Sequence, residues 1–150
     1  MLLVPALMMA ACGMPRDPED SLERITRTGV LRAGITARLP FTTEAGGPEA
    51  EVIAAFARSL GAAVEWRRGS ESELFESLEK FELDVVVAGL TEDNPWAPKL
   101  GFSRPYVEAA GSKHVVAAAP GENRLLLALE RVLRAHAASV AAKVGGTPIS

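Results

Sequence analysis

Few side chains in this sequence are equipped for bond-making chemistry. Among 150 residues there are two histidines, His114 and His136, and one cysteine, Cys12. A Cys/His metal centre needs about four such ligands at set spacings, and none can be drawn from this stock. A lone cysteine also excludes a disulfide within the chain. No Ser-His-acid set comes together, carboxylates such as Asp84 and Glu108 have no partner in the sequence, and both histidines read as incidental surface or strand residues. No catalytic residue, metal or cofactor is implied. What remains is binding chemistry. Arg38 and Arg104 carry guanidinium groups suited to a carboxylate, although a solvated surface arginine is the plainer reading of each. Thr36 and Thr91 offer hydroxyls, Gly89 and its neighbours offer backbone N–H groups, and Phe41 and Trp96 offer aromatic surface.

Those residues are useful only if the fold gathers them. The chain is 48% hydrophobic with a net charge of -3, enough for one domain with its own core. No long basic run is present, so nucleic-acid binding has no electrostatic footprint. Asp20, with Glu23 three residues on, has the spacing of a capping box, and Leu22 and Ile25 give the short helix that follows an apolar stripe ending at Gly29. Val30 to Thr36 reads as a strand. Val52, Ile53, Phe56 and Leu60 fall at helical spacing between Glu49 and Gly61. Val64 to Arg67 is a second short strand, and Ser70 with Glu73 opens another helix, faced by Leu74, Phe75, Leu78 and Phe81. Leu83 to Leu90 is almost wholly apolar, the pattern of a strand buried on both faces of a parallel sheet.

The order β-α-β-α-β predicts a doubly wound α/β layer. In such sheets ligands lie beyond the carboxyl ends of the strands, here Thr36 to Phe41, Arg67 to Ser70 and Gly89 to Trp96. Phe102 to Glu108 reads as extended, Ala109 to Lys113 as a turn, and His114 to Ala118 as a return strand. Glu122 complements the dipole of a last helix, faced by Leu125, Leu126, Leu129, Val132 and Leu133. Beyond Ala135 the sequence is Ala-rich and weakly patterned, and Gly145-Gly146 ends it. The expected organisation is an export segment over 1–12, a linker over 13–20, a single lobe over 21–145 and a tail over 146–150.

Met1 to Cys12 carries no charge and is shorter than the roughly 20 residues a membrane-spanning helix needs. It suits the apolar region of an export signal. Met9-Ala10-Ala11-Cys12 resembles a bacterial lipobox, which implies lipidation at Cys12 and a periplasmic or membrane-anchored protein.

Three segments resemble the family 3 extracellular solute-binding proteins, the receptors that serve ABC importers of polar amino acids. They are S-L-E-R-I-T-R-T-G-V-L-R-A-G-I-T (Ser21 to Thr36), F-E-L-D-V-V-V-A-G-L-T (Phe81 to Thr91) and F-S-R-P-Y (Phe102 to Tyr106), in register across Ser21 to Glu108. The resemblance implies one lobe of a type II periplasmic-binding-protein-like clamshell, a mostly parallel sheet with an antiparallel return strand. In the family the chain leaves its first lobe after the Pro-Tyr segment, builds a second lobe and comes back. Here only the Ala109 to Lys113 turn stands in that place, so the two hinge strands are expected to pair as a hairpin.

The resemblance also carries site chemistry. Thr91 matches the family's threonine, but the loop position of the family's carboxylate-clamping arginine falls on Trp96. An indole has one donor and no charge, and Glu92 and Asp93 would repel a carboxylate. Trp96 is then either packed beneath its loop or exposed as an interface anchor, where Pro40, Phe41 and Tyr106 could join it. Core packing is the plainer reading for Phe41 and Tyr106. The implied function is a non-catalytic exported binding module whose former cleft face meets a protein partner or a second copy. The alternative is a reduced receptor for a small polar solute, an amino acid or a related molecule. An enzyme is disfavoured, because catalytic relatives of this fold use a closed two-lobed cleft. For the N-terminus, labelling with a clickable palmitate analogue is expected to mark the protein, and Cys12→Ser is expected to abolish the label. A labelled Cys12→Ser protein would remove the anchor.

Overall fold

Alternating strands and helices with connections long enough to cross over build an open sheet covered on both faces. The computed structural model describes residues 17–150. The export segment, Cys12 and residues 13–16 of the expected linker lie outside them. The elements are α1 (Ser21–Thr28), β1 (Val30–Ile35), α2 (Pro48–Ser59), β2 (Ala63–Arg68), α3 (Glu71–Glu79), β3 (Val85–Thr91), β4 (Gly101–Phe102), β5 (Val107–Ala109), β6 (Ser112–Ala118), α4 (Asn123–Val144) and β7 (Thr147–Pro148). The sheet order is β2-β1-β3-β6-β5-β7, with β4 also paired to β6. Of the four long strands, β1, β2 and β3 run parallel and β6 runs antiparallel to β3.

Strand β3 shows why the sequence dictates two covered faces. Val85 and Val87 enter a core shared with α1, α2 and α4. Val86, Ala88 and Leu90 enter a second core beneath α3, with Leu74, Phe75 and Leu78. Successive residues of a strand point to opposite faces, so an unbroken apolar run is needed to satisfy both. Helix α4 runs through the Ala-rich segment to Val144, because Ala137, Val140 and Ala141 are buried. Among the described residues, no helix is long and apolar enough to cross a membrane.

Helix starts follow the sequence in one case and depart from it in two. Ser70 forms the expected capping box, accepting from the N–H of Glu73 at 3.3 Å while the Glu73 carboxylate accepts from the N–H of Ser70 at 2.9 Å. Asp20, by contrast, sits in the left-handed region and makes no side-chain cap bond to its own helix. The Glu122 carboxylate takes that role, accepting from the N–H of Glu19 at 2.7 Å and of Ser21 at 3.1 Å. Glu122 therefore serves α1 and not its own helix. In return, Asp17 accepts from the N–H of Arg124 at 2.7 Å in the first turn of α4. The exchange satisfies unpaired N–H groups of both helix starts and joins the two ends of the lobe.

Asp84 does have partners. It is fully buried and accepts from both Arg24 and Arg32, the latter at 2.9 Å, and from the backbone N–H of Arg32 at 2.8 Å. Its own N–H and C=O pair with the C=O of Arg32 at 2.8 Å and the N–H of Ala119 at 3.0 Å. One residue thus fixes β1, β3 and β6 at the amino end of β3. The last residues, 146–150, were expected as a tail. Thr147–Pro148 instead pairs with β5, adding a strand to the sheet edge.

The hairpin forms where the second lobe was expected to be missing. Ala109 pairs with Ser112, leaving a two-residue loop, Ala110-Gly111. Both loop residues have positive φ, 49° and 77°, as the type I′ hairpin turn demands. Glycine tolerates this, whereas an L-residue such as Ala110 loses about 1 kcal/mol or more there. Asparagine accepts the left-handed region more readily. Ala110→Asn is therefore expected to raise unfolding free energy by roughly 0.5–1 kcal/mol, read from the urea midpoint at unchanged m-value. A lowered midpoint would contradict the turn assignment.

Candidate functional site

The carboxyl ends of β1 and β3 bring together four of the seven binding candidates. Arg38, Phe41, Gly89 and Thr91 line one cavity of about 300 Å³, together with Leu39, Pro40, His114, Val144 and the hairpin residues Ala109, Ala110 and Ser112. The loop after β1 supplies Arg38 to Phe41. It is tied down locally: Thr42 donates its hydroxyl to the C=O of Thr36 at 2.7 Å and accepts from the N–H of Arg38 at 2.8 Å.

Gly89 makes the close approach possible. Its φ is +56°, and the β3–β6 register shifts between Val86 and Leu90. A Cβ at this position would lie 3.2 Å from the Arg38 Cδ and 3.3 Å from Phe41. The absent side chain therefore leaves room for Arg38 and Phe41 to lie against the strand. The bulge turns the Gly89 N–H out of the ladder and onto Oε2 of Glu49 at 2.9 Å. Oε1 of Glu49 accepts from the Tyr106 hydroxyl at 2.7 Å, and the Glu49 N–H donates to the C=O of Phe41 at 3.2 Å.

Glu49 is 1% exposed; the sequence marked it only as the start of a helix and not as a site residue. Its only local signal was an acidic residue in a first helical turn after Gly46-Gly47-Pro48, which is ordinary at a helix start. Burial pushes its carboxyl up to about 7, and the hydrogen bonds from Gly89, Tyr106 and the Ala88 backbone hold it down only in part. The Tyr106 hydroxyl is raised above its ordinary value, first by burial and then by the Glu49 charge and hydrogen bond.

The remaining candidates lie elsewhere. Thr36 lines an adjacent hollow of about 170 Å³ with Glu44, Arg68 and Gly69. Trp96 packs on Phe75 in the α3-side core, ring centroids 5.4 Å apart, with the Lys99 ammonium 5.3 Å from its ring. Of its two readings, the structure adopts the packed one. Arg104 is largely exposed beside α4, its backbone N–H bound to Glu130 at 2.8 Å and its guanidinium 4.0 Å from the same carboxylate. His114, read from the sequence as incidental, is 7% exposed, stacks on Phe41 at 3.9 Å and lines the cavity.

The rim carries both signs of charge. Arg38 reaches Glu71 at 3.3 Å, Glu71 accepts from Asn94 at 3.1 Å, and the Thr91 hydroxyl donates to Asp93. The Arg38–Glu71 pair is solvent-exposed and holds the guanidinium weakly, leaving donors free for an anionic ligand. A second cavity, about 310 Å³, lies between α2 and β2 and is lined by Ala50, Ala54, Trp66 and Arg68 among others. It holds none of the seven binding candidates, although Arg68 belongs to the strand end at Arg67 to Ser70. Among the described residues, no group of three His, Cys, Asp or Glu is placed to hold a metal ion.

The Glu49 carboxyl gives the site a pH signature. In the unfolded chain it titrates near 4.5, in the folded protein near 7. Between those values the native state holds a proton that the unfolded state releases. The contribution of Glu49 to stability is therefore full below pH 4.5 and falls as pH rises towards 7, by roughly 3 kcal/mol. Glu49→Gln is expected to remove that slope while keeping a bond to Gly89 and one to Tyr106. Urea unfolding of both proteins from pH 4.5 to 8 checks this, and parallel profiles would refute it.

Residues 32–142 match the bacterial extracellular solute-binding proteins, family 3. Membrane-bound lytic murein transglycosylase F of Vibrio campbellii is 31% identical over 97 residues, covering 61% of this chain and 18% of that protein. The protein of the same name from Vibrio cholerae is 32% identical over 93 residues, covering 58% and 17%. The chain spans less than a fifth of the length of these curated relatives. Among solved structures, the arginine-bound form of domain 1 from TmArgBP of T. maritima has a TM-score of 0.66 and 27% identity, covering 75% of this chain and 97% of that one. An ancestral cationic amino acid solute binding protein has a TM-score of 0.69 at 15% identity, covering 83% and 99%, a likeness of fold alone. The architecture is that of one lobe of such proteins, and the chain belongs to the bacterial extracellular solute-binding proteins, family 3.

Proposed function

We propose that this chain is an exported, non-catalytic recognition lobe whose open cavity holds one end of a small polar solute bearing a carboxylate. The observation that carries the reading is the gathering of Arg38, Thr91, His114 and Phe41 around one space of about 300 Å³ at the carboxyl ends of β1 and β3. Arg38 would meet the carboxylate in place of the family's loop arginine. The acidic rim at Glu71 and Asp93 suits an ammonium group, so a zwitterion fits better than a dianion. The arginine bound by domain 1 of TmArgBP makes an amino acid a reasonable class. The murein named for the Vibrio relatives adds cell-wall peptides to it. Export fits the family's extracellular placement, and lipidation at Cys12 would hold the lobe at a membrane surface.

With one lobe the solute stays partly in water. Tight pockets bury most of a ligand, and the cost of immobilising it is unchanged. Affinity on the order of millimolar, about -4 kcal/mol, is the expected scale. Titration calorimetry and NMR shift mapping with L-arginine, L-glutamate and murein peptides test the reading. At least one is expected to bind, and Arg38→Met, which keeps the apolar stem over Gly89, is expected to weaken it about tenfold. Failure of every solute to perturb Arg38, Thr91 or His114 would overturn the proposal.

Leu39, 77% exposed beside Pro40 at the cavity rim, favours a second reading, in which a protein partner or a second copy covers the face. A concentration-dependent mass in light scattering that Leu39→Ser abolishes would support self-association. A constant monomer mass would exclude it.

A further inference from the structure

We infer that His114 is a specificity-determining residue of this cavity, donating from Nε2 to an acceptor oxygen of the bound solute. The inference rests on the solute-binding reading and adds to it the group that would sort one solute from another. Arg38 attracts any anion from the rim, where its side chain is 59% exposed. His114 also lines the cavity but is only 7% exposed and stacked on Phe41.

Four observations place it there. His114 is the register partner of Thr91 across β3 and β6, and directly opposed residues of an antiparallel pair share a face. Its ring is stacked on Phe41 with an interplanar angle of 27°, so the imidazole cannot swing freely. Its Nδ1 is buried and has no hydrogen-bond partner among the described residues. A neutral imidazole carries one N–H, and an orphaned buried N–H is among the rarest defects in folded proteins. The proton is therefore assigned to Nε2, which is not among the buried atoms left without a partner. Finally, the neighbouring polar groups are already committed. The Gly89 N–H is held by Glu49, and the Thr91 hydroxyl donates to Asp93. With its proton given to Asp93, the Thr91 oxygen is left as an acceptor, and His114, its register partner, supplies a donor beside it.

A donor and an acceptor side by side suit a group that carries both complementary functions, such as a carboxylate next to an ammonium. A hydrogen bond to a charged group is worth about 1.5–3 kcal/mol, so loss of the donor is expected to weaken binding about tenfold or more.

The experiment uses the full chain with L-arginine, L-glutamate and acetate as probes. Long-range ¹H–¹⁵N correlation of His114 is expected to show the Nε2–H form, with the Nε2 resonance moving on solute addition. His114→Phe keeps the stacked ring and removes the donor, and is expected to weaken binding about tenfold. His114→Gln retains an N–H and is expected to stay within about threefold of wild type. If the wild type binds and His114→Phe binds equally well, the inference fails while the recognition reading stands. If His114→Phe does not fold, an Nε2 resonance unmoved by a solute that shifts Arg38 overturns it. If the wild type binds none of the probes and no cell-wall peptide, the reading and the inference fall together.

Discussion

The site depends on a buried carboxylate held by an amide and a phenol rather than by a cation. Glu49 takes the N–H of Gly89 and the hydroxyl of Tyr106, and its own N–H takes the carbonyl of Phe41. Each bond fixes a different segment: the third strand at its bulge, the Pro-Tyr stretch before the hairpin, and the loop after the first strand. A carboxylate in such a place loses its hydration, and two strong donors offset that loss only in part. The loss is tolerable because the same bonds turn the Gly89 N–H out of the ladder. That bulge, together with a missing Cβ, is what lets Arg38 and Phe41 lie against β3.

The opposite end of the sheet is organised by another acid with a different solution. Asp84 is met by two guanidinium groups and a backbone N–H. Buried ion pairs add little net stability over an apolar substitute, but breaking one is costly because a charge is left unpaired. Asp84 acts through specification: with Arg32 and Ala119 it sets where β3 begins beside β1 and where β6 ends. The exchange of caps between Asp17 and Glu122 then closes the lobe, joining the first described residues to the start of α4. Two carboxylates fix strand positions from opposite ends of β3, and two more, Asp17 and Glu122, pin the terminal helices.

What could be read from the sequence was local or periodic. Leu83 to Leu90 announced a strand buried on both faces, and Ser70 and Glu73 formed their capping box, whereas the hairpin between Tyr106 and His114 was implied by the family resemblance. What could not be read was long-range. Glu49 and Gly89 are 40 residues apart, and Ser21 and Glu122 are 101 apart. No spacing rule links residues at such distances. Asp20 shows the rule failing for a physical reason, because the Glu122 carboxylate takes the N–H groups of Glu19 and Ser21 while Asp20 is held in a left-handed conformation. Trp96 and Arg104 show the complementary limit. Both were expected at the binding edge, but the indole packs on Phe75 of α3, and Arg104 lies beside Glu130 of α4.

The recognition proposed for this lobe must work differently from that of a clamshell. A clamshell surrounds its solute by closing, so it can use mobile side chains that become ordered as water leaves. An open face has no such step, and any side chain ordered on binding subtracts from an already small affinity. Selectivity then falls to groups that are immobile before the solute arrives. In this cavity those are the backbone at Gly89, held by Glu49, and the ring of His114, held by Phe41. The exposed Arg38 can raise the local concentration of anions, but its free rotation makes it a poor judge of shape. On the proposed reading, the buried network beneath the cavity is the part of the lobe that substitutes for closure: it holds Gly89 and Phe41 still.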